Sequence, residues 1–372
     1  MKKIAVISNT AWSVYNFRKS LIADLQHAGY QVFCIAPSDQ FTIKIQLELG
    51  CEFIPIHQLE AKGSNLLEDL SLIVEFRKLF MKYKFDIVLS YTAKPNIYGN
   101  LGALFSPTKF INTVNGLGSG LASDGWVSKI MRRLYKVAFR KSSAVIFQNQ
   151  DDRDYFILHH IVDQSKTYLV NGSGIDLQEF EQKKNFNEDS STMKFLLSAR
   201  LVKEKGILEY IAAATELKKQ FPNVKFYLCG LIANNPSAIP ANDLDAYHQK
   251  GIIDYIKGSD DMNALLHEMD VLVLPSYYRE GVPRILLEGL SKGLPILTTN
   301  SVGCKETVEE GINGYKIPVR DIGSLQNAMR QFIDMPFANR MAMGEASRKL
   351  AAEKFSVEKV NQQYLRLLQE LT

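Results

Sequence analysis

Residues 270–293 read DVLVLPSYYREGVPRILLEGLSKG. They predict a strand, a short loop and a helix in immediate succession. The run from Val271 to Leu274 is apolar and rich in valine, which is typical of a strand buried on both faces of a parallel sheet. Pro275 ends this strand because proline has no N–H to donate to a neighbouring strand. The helix is expected to begin at Pro283, where a fixed backbone angle is already helical and the missing N–H costs nothing.

The loop between this strand and helix carries groups that suit a ligand. The free N–H groups of the first helical turn form an anion site, and Gly281 would let a ligand approach the backbone. Glu280 lies in the loop and Glu288 in the helix. Carboxylates only accept hydrogen bonds, so they suit sugar hydroxyls. On these residues alone, a solvated helix face and an unremarkable loop remain an alternative.

Strands and helices alternate on both sides of this stretch. The alternation predicts an α/β protein with two doubly wound parallel sheets, in which each crossover is right-handed. Helical patterns separate the apolar runs, and three helical segments are expected to start near 323, 338 and 357. The expected strands are 3–8, 31–37, 52–56, 86–91, 109–114, 144–149, 167–170, 194–199, 224–230, 252–256, 271–274 and 294–299.

The polar stretch QEFEQKKNFNEDSST at 178–192 divides the alternation and is predicted to be a linker. The first domain is then 1–177 and the second is 193–356. Two such sheets are expected to face a central cleft, where parallel sheets bind ligands.

Composition excludes several classes of protein. The 372 residues are 46% hydrophobic and 23% charged, as in an ordinary globular protein. The net charge of +4 is too small to indicate nucleic-acid binding by itself. The four cysteines show no metal-ligand spacing and fit a reducing cytoplasm. Since no run approaches ~20 apolar residues, we expect a soluble chain that is at most peripheral to a membrane.

A second motif, SARLVKEKG at 198–206, follows the first strand of the second domain. It contains Arg200 and Lys205, and Gly206 is expected to open a helix. Arginine offers a planar fork of donors and lysine a mobile point charge, so the pair could hold a diphosphate. A solvated basic loop is the alternative.

Together, the run Glu280-Gly281-x-Pro-x-x-x-x-Glu288 and the segment Ala-Arg-x-x-x-x-Lys-Gly at 199–206 resemble the retaining glycosyltransferases of family four. The resemblance implies the GT-B architecture, a UDP-sugar donor and no metal or other cofactor. It also implies a final helix, 357–372, that packs back on the first domain. Its site residues would be Glu280 on the donor sugar, Glu288 on the ribose, Arg200 and Lys205 on the leaving diphosphate, and Gly281 and Val282 beside the donor.

Other motifs are similar to those of bacterial enzymes that extend lipid-linked oligosaccharides, O-antigen or capsule. They are YTAKPN at 91–96, TVNGLGS at 113–119, GCKE at 303–306 and NGY at 313–315. This resemblance implies a polyprenyl-diphosphate-linked acceptor, a place on the cytoplasmic face of the plasma membrane and no nucleic-acid partner. Asn115 and Gly116 become donor-binding candidates, and Lys94 and Asn96 become acceptor candidates. Many family members carry histidine near position 115, so the identity of the sugar stays open.

The segment WVSKIMRRLYKVAFRK at 126–141 is predicted to be a strongly amphipathic helix. Its cations are expected within an arc of roughly 100°, opposite an apolar side that packs in the domain. The cationic stripe could contact anionic lipid or the diphosphate of an acceptor, or simply face water. The cations are Lys129, Arg132, Arg133, Lys136 and Arg140, and the apolar side is Ile130, Met131, Leu134, Val137 and Ala138.

Several other features predict no site. Asp243 and Asp245 resemble a metal-binding Asp-x-Asp but lie in a polar, helix-like stretch, so no metal is expected there. His159 and His160 point to different faces of a helix. The first strand lacks the glycine pattern of nicotinamide and flavin enzymes. Two alternative functions remain: a UDP-sugar epimerase of the same architecture, and a non-catalytic nucleotide-sugar-binding protein.

Overall fold

The computed structural model describes residues 1–59, 66–122, 125–184, 186–232 and 235–371. These residues form two compact units. The first unit contains Met1–Ser173 and Val360–Thr372, and the second contains Gly174–Lys359. The prediction of an α/β chain with two parallel sheets is confirmed.

The first unit is built on a parallel sheet of seven strands in the order β3-β2-β1-β4-β5-β6-β7. Ile4 of β1 lies opposite Val32 on one neighbouring strand and Ile87 on the other. The strands are β1 (Lys3–Ile7), β2 (Gln31–Ala36), β3 (Glu52–Pro55), β4 (Ile87–Tyr91), β5 (Lys109–Val114), β6 (Ser142–Phe147) and β7 (Thr167–Leu169).

Helices cover both faces of this sheet. Successive residues of β1 point to opposite faces, and each set packs in a core of its own. Ile4 and Val6 pack in one core with Leu21, and Ala5 and Ile7 pack in another with Phe76. The helices are α1 (Ala11–His27), α2 (Thr42–Glu48), α3 (Leu66–Tyr83), α4 (Asn100–Gly102), α5 (Gly118–Ala122), α6 (Trp126–Ala138) and α7 (Gln150–Leu158), and a π-helical turn, Pro95–Gly99, leads into α4.

The second unit is built on a parallel sheet of six strands in the order β10-β9-β8-β11-β12-β13. Its strands are β8 (Lys194–Ser198), β9 (Lys225–Cys229), β10 (Asp254–Ile256), β11 (Val271–Leu274), β12 (Ile296–Thr299) and β13 (Gly314–Ile317). Its helices are α8 (Ile207–Gln220), α9 (Ala241–Gln249), α10 (Met262–His267), α11 (Arg284–Lys292), α12 (Ile322–Asp334) and α13 (Phe337–Leu350), and α14 (Val357–Leu371) follows.

The stretch 178–192 is not a linker, and this prediction is wrong. The units divide after Ser173, and the described part of the stretch, which omits Asn185, belongs to the second unit. Phe180 is 6% exposed and packs in a core of that unit. The buried Lys183 ammonium donates to the carbonyl of Met269 at 2.8 Å and lies 3.4 Å from the Asp270 carboxylate. These contacts hold the stretch in the second unit although its composition is polar.

The C-terminal helix α14 contributes to the core of the first unit from Val360 onward. Val360, Tyr364 and Leu368 are buried in the same core as β1. The Asn361 amide donates to the carboxylate of Asp24 on α1 at 2.7 Å. The first core is therefore completed by residues from the end of the chain.

No helix among the described residues has both the length and the apolar composition that crossing a membrane requires. Within each sheet the strand order reverses once, between β1 and β4 in the first unit and between β8 and β11 in the second. Parallel sheets bind ligands beyond the carboxyl ends of the strands at such a reversal. These two places are therefore candidate binding sites.

Candidate functional site

The site in the second unit begins at the end of β11. Val271–Leu274 is fully buried and pairs with β8 and β12. Helix α11 begins at Arg284, so Pro283 precedes its first turn instead of opening it. No side chain caps this helix N-terminus in the part of the chain that the structure describes. The positive end of the helix dipole therefore faces the loop that carries Glu280.

Hydrogen bonds join the loop after β11 to the loop after β8. The backbone N–H groups of Tyr277 and Tyr278 donate to the carbonyl oxygen of Glu204 at 2.9 and 3.1 Å. The Ser276 hydroxyl donates to the same oxygen at 3.3 Å. Ser301, which follows β12, donates its hydroxyl hydrogen to the Ser276 carbonyl at 2.8 Å. The two motifs are therefore held as one rigid group.

Lys205 and Glu280 come together in this group as an ion pair. Lys205 is only 7% exposed, and its ammonium lies 5.6 Å from the centre of the Tyr278 ring. Arg200 is exposed, and its guanidinium lies 5.8 Å from the same ring. The structure thus brings three predicted residues into one cationic and acidic cluster. An ammonium has three donors, so Lys205 can hold Glu280 and a phosphate oxygen at once.

Glu288 does not lie on a solvated face, since its side chain is only 13% exposed. The Nε atom of Arg284 donates to Glu288 at 3.1 Å, and a terminal nitrogen of the same guanidinium donates to the Gly174 carbonyl at 2.9 Å. Burial raises the pKa of Glu288, and the charge of Arg284 partly offsets this rise. Glu288 is therefore a positioned acceptor with an ion-pair partner that the sequence motif did not indicate.

Gly303 supports the loop that carries Glu280. Its φ is +85°, and a Cβ at this position would collide with the carbonyl oxygen of Gly281. A side chain at 303 would thus displace Gly281, which with Val282 is buried beside Glu280. The neighbouring Cys304 is fully buried, and burial together with the charge of Glu280 raises the pKa of its thiol to about 11. Cys304 is therefore a neutral packing residue.

In the first unit, the Asn96 side chain makes internal hydrogen bonds, which disagree with its assignment to an acceptor. It is fully buried, and its amide donates to the Thr113 carbonyl at 2.8 Å. Its side-chain oxygen accepts a hydrogen bond from Asn112 at 3.2 Å. Both ends of the amide thus join the π-helical turn to β5. Lys94 lies nearer the surface, 3.7 Å from the Asp69 carboxylate.

The carboxyl ends of β4 and β5 carry polar atoms without partners among the described residues. Thr92, directly after β4, has φ +70°, which is strained for a β-branched residue. Its buried hydroxyl has no hydrogen-bond partner, and neither has the buried side-chain oxygen of Asn115 after β5. Gly116, next to Asn115, has φ +106°. Sequence reasoning found Asn115 but missed Thr92, because strain is not visible in residue type.

Helix α6 forms, and Met131, Leu134 and Ala138 of its predicted apolar side pack in or against a core of the unit. The expectation that Ile130 and Val137 pack in the domain is wrong, because they are 45% and 44% exposed. Tyr135 is buried instead, together with Ser128 and Ala138. Trp126, at the start of the helix, is 73% exposed. The outer face therefore combines an apolar stripe with cations.

The five predicted cations of this helix do not behave alike. Arg132 is half-buried and lies 3.4 Å from a ring nitrogen of His159. Lys129, Arg133, Lys136 and Arg140 are exposed beside the apolar stripe. Such a mixed face is typical of helices that lie at a membrane surface.

Among the described residues, no group of three histidine, cysteine, aspartate or glutamate side chains could hold a metal ion. Asp243 and Asp245 lie on α9, and Asp245 lies 3.4 Å from the ammonium of Lys257. The arrangement there is an ordinary surface ion pair.

Family comparison agrees with this geometry. Residues 178–350 match the model of glycosyl transferases group 1, and residues 3–149 match that of glycosyl transferase 4-like proteins. The chain belongs to the family-four glycosyltransferases and has their GT-B fold. It is a glycosyltransferase of the kind found in bacterial polysaccharide biosynthesis.

Two similar proteins act on lipid-linked substrates. One is the N,N'-diacetylbacillosaminyl-diphospho-undecaprenol alpha-1,3-N-acetylgalactosaminyltransferase of Campylobacter jejuni, which is 29% identical over 84% of each chain. The other is the UDP-Gal:alpha-D-GlcNAc-diphosphoundecaprenol alpha-1,3-galactosyltransferase of Escherichia coli, 24% identical over 87% of this chain and 88% of that one.

Solved structures share the fold at low identity. A glycosyltransferase from Rickettsia africae superposes with a TM-score of 0.80 over 99% of this chain and 98% of that one, at 17% identity. HepE from Anabaena, solved in complex with UDP-glucose, superposes with a TM-score of 0.80 over the full length of both chains, at 16% identity.

Proposed function

We propose that this glycosyltransferase moves a hexose or N-acetylhexosamine from a UDP-sugar to a glycan linked to a polyprenyl diphosphate, with retention at the anomeric carbon. The observation that carries the proposal is the joining of Lys205, Glu280 and Tyr278 where the second sheet reverses its strand order. The two lipid-linked relatives support the class of acceptor.

The donor would bind the second unit through its charges. Lys205 and the exposed Arg200 would neutralise the diphosphate, since charge-assisted hydrogen bonds are the strong ones. Glu280 would accept a hydrogen bond from a hydroxyl of the donor sugar, and Glu288 would accept one from the ribose. Gly281 and Val282 would lie beside the donor, and the assignment of Asn115 and Gly116 to it stays a prediction.

Retention would follow from attack on the face that UDP leaves. The acceptor hydroxyl oxygen forms a bond to the anomeric carbon as the bond from that carbon to the diphosphate oxygen breaks. The hydroxyl proton passes to the departing phosphate oxygen, so the products are the extended glycan and UDP. The cations at 200 and 205 would stabilise the charge that develops on the diphosphate. We propose that no metal ion is needed for this step.

The acceptor would be bound by the first unit at the cytoplasmic face of the membrane. The exposed cations of α6 suit an anionic surface or the diphosphate of the acceptor. The exposed Trp126 and Ile130 beside them suit the apolar boundary of a bilayer. Lys94 is proposed to lie near the acceptor, since it follows the strained Thr92 by two positions.

The test is an assay of the purified chain with a panel of UDP-sugars and polyprenyl-diphosphate-linked acceptors. We expect acceptor-dependent release of UDP, an α linkage by NMR from an α-linked donor, and unchanged turnover in EDTA. A β linkage would contradict retention, and loss of turnover in EDTA would contradict the metal-free step. Conversion of one UDP-sugar to another without acceptor would indicate an epimerase. Binding of UDP-sugar with no turnover on any acceptor would indicate a non-catalytic protein.

A further inference from the structure

A cavity of about 750 Å³ opens at the amino ends of the strands in the first sheet, the edge opposite Thr92 and Asn115. It lies between the end of α3, the start of β4 and the turn that precedes β5. None of the residues proposed to bind the donor or the acceptor lines it. Its lining includes Arg77, Phe80, Met81, Lys84, Phe105 and Lys109.

The charge of this cavity is mostly positive. Lys2, Arg77, Lys84 and Lys109 contribute cations, and Asp86 contributes a carboxylate. That carboxylate already accepts the backbone N–H of Lys3 at 2.7 Å. Lys2, Arg77 and Lys84 have no ion-pair partner within the ranges that the structure describes. The cavity therefore suits an anion.

Apolar side chains surround the cations on the outside. Phe105 is 87% exposed and Met81 is 63% exposed, and both line the cavity. Val74 and Leu104, nearby on α3 and after α4, are 50% and 45% exposed. The Arg77 guanidinium lies 5.6 Å from the centre of the Phe105 ring. A cation beside a nearly bare aromatic ring suits a bilayer surface, where the ring can enter the apolar boundary and the cation can stay in water.

The cavity shares one face of the sheet with α6. Helices α3 and α6 both pack against the π-helical turn Pro95–Gly99. The Lys141 ammonium, just after α6, donates to the Ser106 carbonyl at the cavity wall, at 2.6 Å. The end of α6 therefore leads directly to the wall of the cavity.

We propose that this cavity binds the phosphate headgroup of an anionic membrane lipid. The phosphate lies among Lys2, Lys84 and Lys109, and Phe105 and Met81 enter the acyl boundary. The lipid is a docking ligand and is not consumed. This site is independent of the sugar and the acceptor, because it lies at the other edge of the sheet from the groups proposed to meet them.

A lipid fits better than a soluble anion or a second copy of the chain. A soluble anion would leave Phe105 and Met81 in water, whereas a bilayer removes them from it. A second copy would bring a like-charged face against this one. Charge and apolar surface are both matched only by an anionic bilayer.

The test measures partition of the full chain onto phosphatidylcholine vesicles with and without phosphatidylglycerol. Wild type should bind the anionic vesicles. Lys84→Glu should lower the partition coefficient roughly 25-fold, since each cation contributes about a factor of five. Phe105→Ser should lower it roughly tenfold through lost apolar burial. The matched controls are Leu47→Ser, whose leucine is 80% exposed on α2, and Lys250→Glu, an exposed cation of the second unit. Both should bind like wild type.

Two further measurements separate the sources of binding. Soluble dihexanoyl phosphatidylglycerol should raise the melting temperature of wild type but not of Lys84→Glu, and inorganic phosphate at equal concentration should not. Equal stabilisation by inorganic phosphate would overturn the proposal in favour of a simple anion site. Vesicle binding as strong as that of wild type in both cavity variants would overturn it. The proposal would also be overturned if wild type sediments as a dimer and the two cavity variants sediment as monomers, because the cavity would then be a dimer interface. Turnover on a short-chain acceptor should stay unchanged in these variants, so failure here is distinct from failure of the proposed reaction.

Discussion

At the scale of single residues, Lys205 lies between the Glu280 carboxylate and the Tyr278 ring with 7% of its surface exposed. Lys205→Ala should lower kcat/KM roughly 10- to 150-fold, because it removes a charge-assisted hydrogen bond of ~1.5–3 kcal/mol to the leaving group. Steady-state kinetics with the UDP-sugar measures this loss. Lys203→Ala is the matched control, since Lys203 is an exposed cation of the same loop. Equal activity of the two variants would show that Lys205 takes no part in the reaction.

Thr92 combines backbone strain with an unpartnered hydroxyl. Thr92→Gly should raise the melting temperature slightly. A left-handed non-glycine residue costs about 1–2 kcal/mol, and the variant relieves this strain. The larger backbone entropy that glycine loses on folding offsets part of the gain. If the hydroxyl meets the acceptor, the same variant loses turnover and Thr92→Ser retains it. Melting curves and the acceptor KM are the measurements. A stabilised Thr92→Gly enzyme with full turnover would show that the strain serves no substrate contact.

The raised pKa of Glu288 predicts how stability depends on pH. Its ordinary value is 4.5, and burial raises it despite Arg284. The folded state then holds the proton more tightly than the unfolded state, so stability is lost as pH rises from the ordinary pKa toward the raised one. The melting temperature of wild type minus that of Glu288→Gln should therefore fall as pH rises above the ordinary pKa of 4.5. A difference that rises with pH would mean that the Arg284 ion pair dominates over burial.

At the scale of elements, α6 is the amphipathic helix whose exposed face is expected to contact lipid or acceptor. Arg133→Glu with Lys136→Glu should weaken binding to anionic vesicles or use of a lipid-linked acceptor, while UDP-sugar binding stays unchanged. Arg132 is left out because it contacts His159. Vesicle flotation and donor titration measure the two properties. Lys250→Glu with Lys349→Glu, two exposed cations of the second unit, is the charge-matched control. A solvated face with no partner would leave every property intact.

Most elements could be predicted because their signal is local. Each predicted strand coincides with an observed one, since a buried strand needs only a short apolar run. Strand β13 was missed, because GYKI is short and opens with the glycine at position 314. The exposure of Ile130 and Val137 on α6 was misjudged for another reason. Helical spacing says which residues share a side, but the neighbouring elements decide which side is covered.

At the scale of the whole molecule, the end of the chain completes the first core. A chain ending at Lys359 should lose the melting transition of the first unit and keep that of the second. It removes Val360, Tyr364 and Leu368, each worth about 2–5 kcal/mol of a total stability of about 5–15 kcal/mol. Calorimetry measures the two transitions. Tyr364→Phe is the control, because it removes the hydroxyl, which contacts Thr113 at 2.9 Å, and keeps the buried ring. Two intact transitions in the shortened chain would contradict this role of α14.

The amino-acid sequence by itself determined the α/β class, the strand-loop-helix at 270–293 and the residue types of the donor motif. These depend on spacing within one element, which is readable along the chain. Tertiary structure alone decided three things. Lys205 pairs with Glu280, 75 positions away. The Asn96 amide is buried and hydrogen-bonded to β5, and the polar stretch at 178–192 packs into the second unit. Each depends on partners brought close by strand order, and burial of a charge or amide is favourable only when those partners are present.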